Sequence, residues 1–95
     1  MFDISTAEDG TIILSGRLDA SQEAKAREVF DKAVSPLVVD FKELDYIASA
    51  GLGILLGTQK KLLASGEGMK IVNINAHIRE IFEMAGFHTV FELEG

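Results

Sequence analysis

Two apolar runs, each leading into a segment with helical spacing, limit most strongly what this chain can fold into. The first run is Leu37-Val38-Val39-Asp40-Phe41, which opens after the turn signal Ser35-Pro36. A polar stretch from Lys42 to Asp45 and then Tyr46-Ile47-Ala48 lead to Leu52, Leu55, Leu56, Leu62 and Leu63, the stripe of an amphipathic helix that stops at Gly66. The second run is residues 69–74. Asn75 is placed to cap the helix after it, whose inward face is Ile78, Ile81, Phe82 and Ala85. Gly86 suits the left-handed C-terminal position, with Phe87 folding back over the last turn. A strand followed by a helix, twice over, calls for crossover connections and a mostly parallel sheet.

The flanking segments complete the expectation. Residues 2–6 alternate, Glu8-Asp9-Gly10 reads as a turn, and residues 11–18 form the second strand of a hairpin. Asp19 or Ser21 then caps a first helix with the apolar stripe Ala26, Val29, Phe30, Ala33 and Val34. A short strand at about residues 89–93 ends the chain. The expected fold is a single α/β domain over residues 1–95, with about three helices and a mixed, mostly parallel sheet that includes the N-terminal hairpin. In it, residues 37–41 read as a strand buried on both faces. Gln59 interrupts the leucine stripe, and nothing in the sequence accounts for it.

Composition excludes more than it selects. The 95 residues are 47% apolar and 25% charged, an ordinary globular balance for one domain. Without cysteine there is no disulfide and no thiolate metal site. The net charge of −6, with Lys60-Lys61 as the only basic pair, argues against a nucleic-acid partner. It suits a basic protein surface instead. MFDISTAEDG has no export pattern, and no apolar run approaches the roughly 20 residues of a membrane span, so the expected location is the cytoplasm and no membrane partner is expected.

The chemistry concentrates in residues 40–53, where a buried strand delivers Ser49 to the start of a helix, followed by the small residues Ala50, Gly51 and Gly53. A serine at that place can cap the helix through its hydroxyl. It can equally accept a phosphate, because the first-turn N–H groups and the helix dipole favour an anion there. Asp19 has the same two readings, helix cap or contact residue. Along the second helix, Gly53, Gly57, Lys60 and Ala64 share one side where missing side chains allow close approach. Ile54 and Thr58 lie towards the other exposed side, and the apolar Ile54, off the main stripe, either packs on a neighbouring helix or contacts a partner.

The chain as a whole resembles the STAS domains of bacterial anti-sigma-factor antagonists. The matching residues are Gly16-Arg17-Leu18-Asp19, Val38-Val39-Asp40-Phe41, Tyr46-Ile47-Ala48-Ser49-Ala50-Gly51-Leu52, Ile81-Phe82-Glu83-Met84-Ala85-Gly86-Phe87 and Val90-Phe91. The resemblance implies that Ser49, two residues before the glycine of the motif, is the phosphorylated serine. It also associates Asp19 with partner binding, and the expected partner surface comprises Asp19, Ala48, Ala50, Gly51, Gly53, Ile54, Gly57 and Thr58. Many members carry Asp or Ser where this chain has Ala48, a departure that leaves the acceptor in place. The implied partners are an anti-sigma factor that is an ATPase-like serine kinase and a metal-dependent serine phosphatase. Other STAS domains serve as scaffolds or as regulatory subunits in transporter, stress-sensing, biofilm or secretion pathways, which is the alternative function.

Enzyme readings fare worse. Gly51-x-Gly53-x-x-x-Gly57 after a strand resembles a dinucleotide-binding turn, but the next strand ends in Ile74-Asn75 with no acidic residue for a ribose. His77 and Glu80 are three apart on a helix, too few for a metal site, and His88 falls in a loop. The expectation is a regulator without catalytic activity, cofactor or metal.

Overall fold

The computed structural model describes all residues, 1–95. Its elements run β1 (Phe2–Thr6), β2 (Ile12–Leu18), α1 (Glu23–Phe30), β3 (Leu37–Ile47), α2 (Ser49–Ser65), β4 (Met69–Val72), α3 (Ala76–Met84) and β5 (Glu92–Glu94). Short 3-10 turns at Ala20–Gln22 and Phe87–Thr89 precede α1 and β5. The sheet order is β1-β2-β3-β4-β5, with β1 antiparallel to β2 and the rest parallel. The expected α/β architecture, with its mixed sheet, N-terminal hairpin and three helices, is therefore present.

That strand order decides where the core lies. From β2 to β5 each parallel strand is added on the same side of its predecessor, and crossovers of one hand then put every helix on the same sheet face. Burial alternates accordingly. Phe2 and Ile4 of β1, Ile12, Leu14 and Leu18 of β2, and Met69 and Ile71 of β4 point into the core. There they meet Ala26 and Phe30 of α1, Leu52, Leu55 and Leu62 of α2, and Ile78 and Phe82 of α3. Phe82 makes edge-on contacts with Phe41 and Phe91, at centroid distances of 6.1 and 5.6 Å.

The open second face corrects the expectation for residues 37–41. Val38 and Asp40 are only half-buried, because nothing covers them. The polar stretch from Lys42 to Asp45 is not a connector either: β3 runs through it to Ile47. Its register against β2 shifts between Ile13 and Ser15 and again between Gly16 and Arg17. The two irregularities return Leu44 and Ile47 to the core face after the alternation fails.

Other boundaries moved for local reasons. α1 ends at Phe30, so Val34 leaves the predicted stripe and is 74% exposed. β4 stops at Val72, because Asn73 turns left-handed at φ 58. β5 begins at Glu92 instead of Thr89, behind the 3-10 turn. Asn75 does cap α3, its Oδ1 accepting from Ile78 N–H at 2.8 Å, and Gly86 takes the left-handed position at φ 76. Leu63, expected in the leucine stripe, is exposed.

Gln59 has a physical explanation. It is 3% exposed, its Oε1 accepts from Met69 N–H at 2.7 Å, and its Nε2 donates to the Val90 carbonyl at 2.8 Å. A single side chain thus joins α2 to the start of β4 and to the segment before β5.

Candidate functional site

β2 and β3 end side by side. Leu18 is the register partner of Ile47, and Ala48 N–H donates to the Leu18 carbonyl at 2.9 Å. The residues that follow the two strands, Asp19 and Ser49, therefore share one end of the sheet, and the turn Ala20–Gln22 packs against α2. In parallel sheets this carboxyl end is where loops gather and ligands meet the fold.

Ser49 is the first residue of α2 and is exposed. The N-cap is Ala48, in extended backbone at φ −96 and ψ 173, and no side chain caps the helix. The reading of Ser49 as an N-cap is thereby corrected. Leu52 N–H is the first in the helix to find an acceptor, the Ala48 carbonyl at 3.0 Å. The N–H groups of Ser49, Ala50 and Gly51 are left to an outside acceptor, at the positive end of the helix dipole. α3 differs in having Asn75 over its first turn.

Gly51 is what lets α2 sit this close to the sheet. A Cβ there would stand 2.8 Å from both Leu18 Cγ and Ile47 Cγ1. Gly53 and Gly57 face the other way, with nothing near where their side chains would project. Ser49, Gly53 and Gly57, four residues apart, form an exposed stripe along α2, continued by Lys60 and Ala64.

Asp19 caps the turn before α1. Its Oδ1 accepts from Ser21 N–H at 3.0 Å and from Ser21 Oγ at 2.6 Å, while Gln22 Oε1 accepts from Asp19 N–H at 3.2 Å. The Ser21 hydroxyl first, then the Ser21 N–H and the Arg17 charge, hold the Asp19 carboxyl below its ordinary value, so it stays anionic at neutral pH.

Of the expected contact residues, the structure gathers Asp19, Ala48, Ser49 and Ala50 at the sheet end and sets Gly53 and Gly57 along the adjoining helix face. It withdraws three. Ile54 (2% exposed) and Thr58 (7%) pack towards α1, where they line a shallow hollow of about 190 Å³ with Arg27, Asp31 and Lys61. Gly51 is buried against β2 and β3 and has no side to offer. Sequence reasoning passed over one pair: the Arg17 guanidinium carbon lies 4.4 Å from the Tyr46 ring centroid. Only the shifted register of β3 brings these two opposite each other. No three His, Cys, Asp or Glu side chains converge to hold a metal ion, and His77 and His88 are both exposed.

A family model described as "Mlab, STAS domain" matches residues 2–94. The chain belongs to the STAS domain family. Its similarity to BtrV of Bordetella bronchiseptica is 36% identity over 69 residues, 73% of this chain and 60% of that protein. An anti-sigma F factor antagonist of Paenibacillus polymyxa is 27% identical over 85 residues, 84% of this chain and 73% of that one. The match to BtrV thus spans less than two thirds of that relative's length. Among solved structures, the Bacillus cell fate determinant SpoIIAA in its phosphorylated form superposes with a TM-score of 0.69 at 21% identity, covering 98% of this chain and 90% of that one. An anti-sigma factor antagonist from Mycobacterium paratuberculosis gives 0.78 at 21% identity, over 99% and 84%. At such identities the structural likeness establishes the STAS fold. No helix of this STAS domain is long and apolar enough to cross a membrane.

Proposed function

We propose that this STAS domain is an anti-sigma-factor antagonist switched by phosphorylation of Ser49. Unphosphorylated, it binds an anti-sigma factor that is also its serine kinase and so frees a sigma factor. Phosphorylated, it lets the anti-sigma factor go until a metal-dependent serine phosphatase restores it. It acts in the cytoplasm, by binding and not by catalysis.

The reading rests on Ser49: an exposed hydroxyl opening a helix whose first-turn N–H groups have no cap. Relatives named as antagonists support it, as does a fold shared with a protein solved in a phosphorylated form. A phosphate adds about −1.5 to −2 charges at neutral pH. The N-terminus of α2 accommodates that charge within the domain. At a closed interface along Ser49, Gly53 and Gly57 the same group has to be desolvated and displaces partner atoms. A loss of about 3 kcal/mol lowers affinity roughly a hundredfold, so the switch requires no refolding.

The test is to incubate the purified domain with ATP and candidate anti-sigma kinases from its own genome, then map phosphate by mass spectrometry. Phosphate on Ser49 alone supports the switch. Tight binding without phosphate transfer would replace it with a scaffold function.

A further inference from the structure

Arg17 and Tyr46 face each other across β2 and β3 on the side of the sheet that no helix covers. The guanidinium carbon is 4.4 Å from the ring centroid, a cation–π stack on a half-buried tyrosine. The ion pairs of the domain use Lys25, Arg27 and Lys70. Arg17 enters none of them and its side chain donates no hydrogen bond within the chain, although exposed Glu43 and Asp45 lie near Tyr46 along β3. The ring therefore holds the planar group in place while its N–H donors stay uncommitted.

The position is as informative as the chemistry. Asp19 lies two residues beyond Arg17, close enough for the Arg17 charge to help lower its carboxyl. Ser49 lies three residues beyond Tyr46. The stacked pair thus adjoins the sheet end that carries Asp19 and Ser49. We propose that Arg17, held on Tyr46, is a second anchor of the partner surface and takes a carboxylate of the protein that binds at Ser49. The proposal rests on the antagonist reading above.

Charge complementarity selects the occupant. A guanidinium fork matches a planar carboxylate with two parallel hydrogen bonds. Arg and Tyr are also the residue types over-represented where interfaces carry most of their affinity. Beside anionic Asp19, a cationic Arg17 gives the surface two signs a short distance apart, which admits one docking orientation and penalises the reverse. In a chain of net charge −6, with Asp19, Glu43 and Asp45 nearby, Arg17 is a single positive group in an acidic surface, a point that a uniformly basic partner surface does not complement.

The experiment uses the anti-sigma kinase that phosphorylates the domain in the preceding test, with affinity measured by calorimetry. Arg17→Ala is expected to weaken binding at least tenfold and Arg17→Glu further. Tyr46→Phe, which keeps the ring, is expected to stay within twofold of wild type. An Asp→Arg or Glu→Arg change on the kinase is expected to recover binding to Arg17→Glu. Arg17 is exposed, so these variants stay folded, with an unfolding temperature only a few degrees below wild type for the lost stack on Tyr46, which separates lost contact from lost fold. Wild-type binding with both Arg17 variants within twofold overturns the anchor alone, and rescue by none of the kinase's surface acids overturns the carboxylate. If no kinase binds the wild type, the antagonist reading itself falls and takes the anchor with it.

Discussion

Replacing Gln59 by Leu keeps the volume of the side chain and removes both of its hydrogen bonds. The two losses differ. Met69 N–H, bonded at 2.7 Å to Gln59 Oε1, is buried and has no other acceptor, so leaving it unpaired costs about 1–3 kcal/mol. The Val90 carbonyl is part-buried on a residue at the surface and can turn to water, so its loss adds on the order of 0.5–1 kcal/mol. The expected destabilisation is about 1.5–4 kcal/mol. For a domain of this size that corresponds to a fall in unfolding temperature of about 6–30 °C. Urea unfolding and thermal melts of both proteins read the two quantities, and amide exchange at Met69 reports the lost bond. Gln59→Glu keeps the acceptor for Met69 but loses the donor to Val90 and buries a carboxylate. It should be the less stable of the two at neutral pH and recover as acid protonates it. A Gln59→Leu protein within about 0.5 kcal/mol of wild type, with Met69 still protected, would refute the reasoning.

Three further outcomes follow from the geometry. Gly51→Ala drives a Cβ to 2.8 Å from Leu18 and Ile47 and should destabilise the domain by about 1–3 kcal/mol in urea unfolding, whereas Gly53→Ala, which meets only open space, should stabilise α2 by about 0.5–1 kcal/mol. Ile54→Lys places a charge in the contact with α1, so circular dichroism should show loss of the fold and not merely of binding. Ser21→Ala removes the main cause of the low Asp19 titration, so NMR should find that carboxyl moving up towards its ordinary value. Since the folded value lies below the unfolded one, the Asp19 contribution is present at neutral pH and lost as pH falls through the folded value; in Ser21→Ala that pH-dependent part shrinks.

Where local signals agree with one another, the elements could be read directly. Asn75 and Gly86 bracket α3 because cap chemistry depends on neighbours in sequence. What could not be read depends on neighbours in space. β3 looked like a strand with a polar connector because its inward residues are spaced 2, 2, 3 and 3 apart at Leu37, Val39, Phe41, Leu44 and Ile47. Only pairing with β2 shows that bulges absorb the extra residues. A strand rich in Val and Leu also suggested two covered faces, whereas the monotonic strand order leaves one open. α2 touches both sheet and α1, so Ile54 off the leucine stripe is as buried as the stripe itself. Gln59 is intelligible only beside Met69 and Val90, which lie 10 and 31 residues away. At the site, the motif around Ser49 marked the right strand-to-helix junction. The sequence did not reveal that Ala48, not Ser49, occupies the cap, because that rests on a backbone angle.

On the function proposed for this domain, a phosphate on Ser49 alone decides partner binding. The direct measurement is calorimetric titration of the anti-sigma kinase into three forms of the domain: unphosphorylated, stoichiometrically phosphorylated on Ser49, and Ser49→Ala. The first and third are expected to bind tightly, and the phosphorylated form more weakly by roughly a hundredfold, about 3 kcal/mol, with the fold unchanged. Equal affinity for all three would contradict that function.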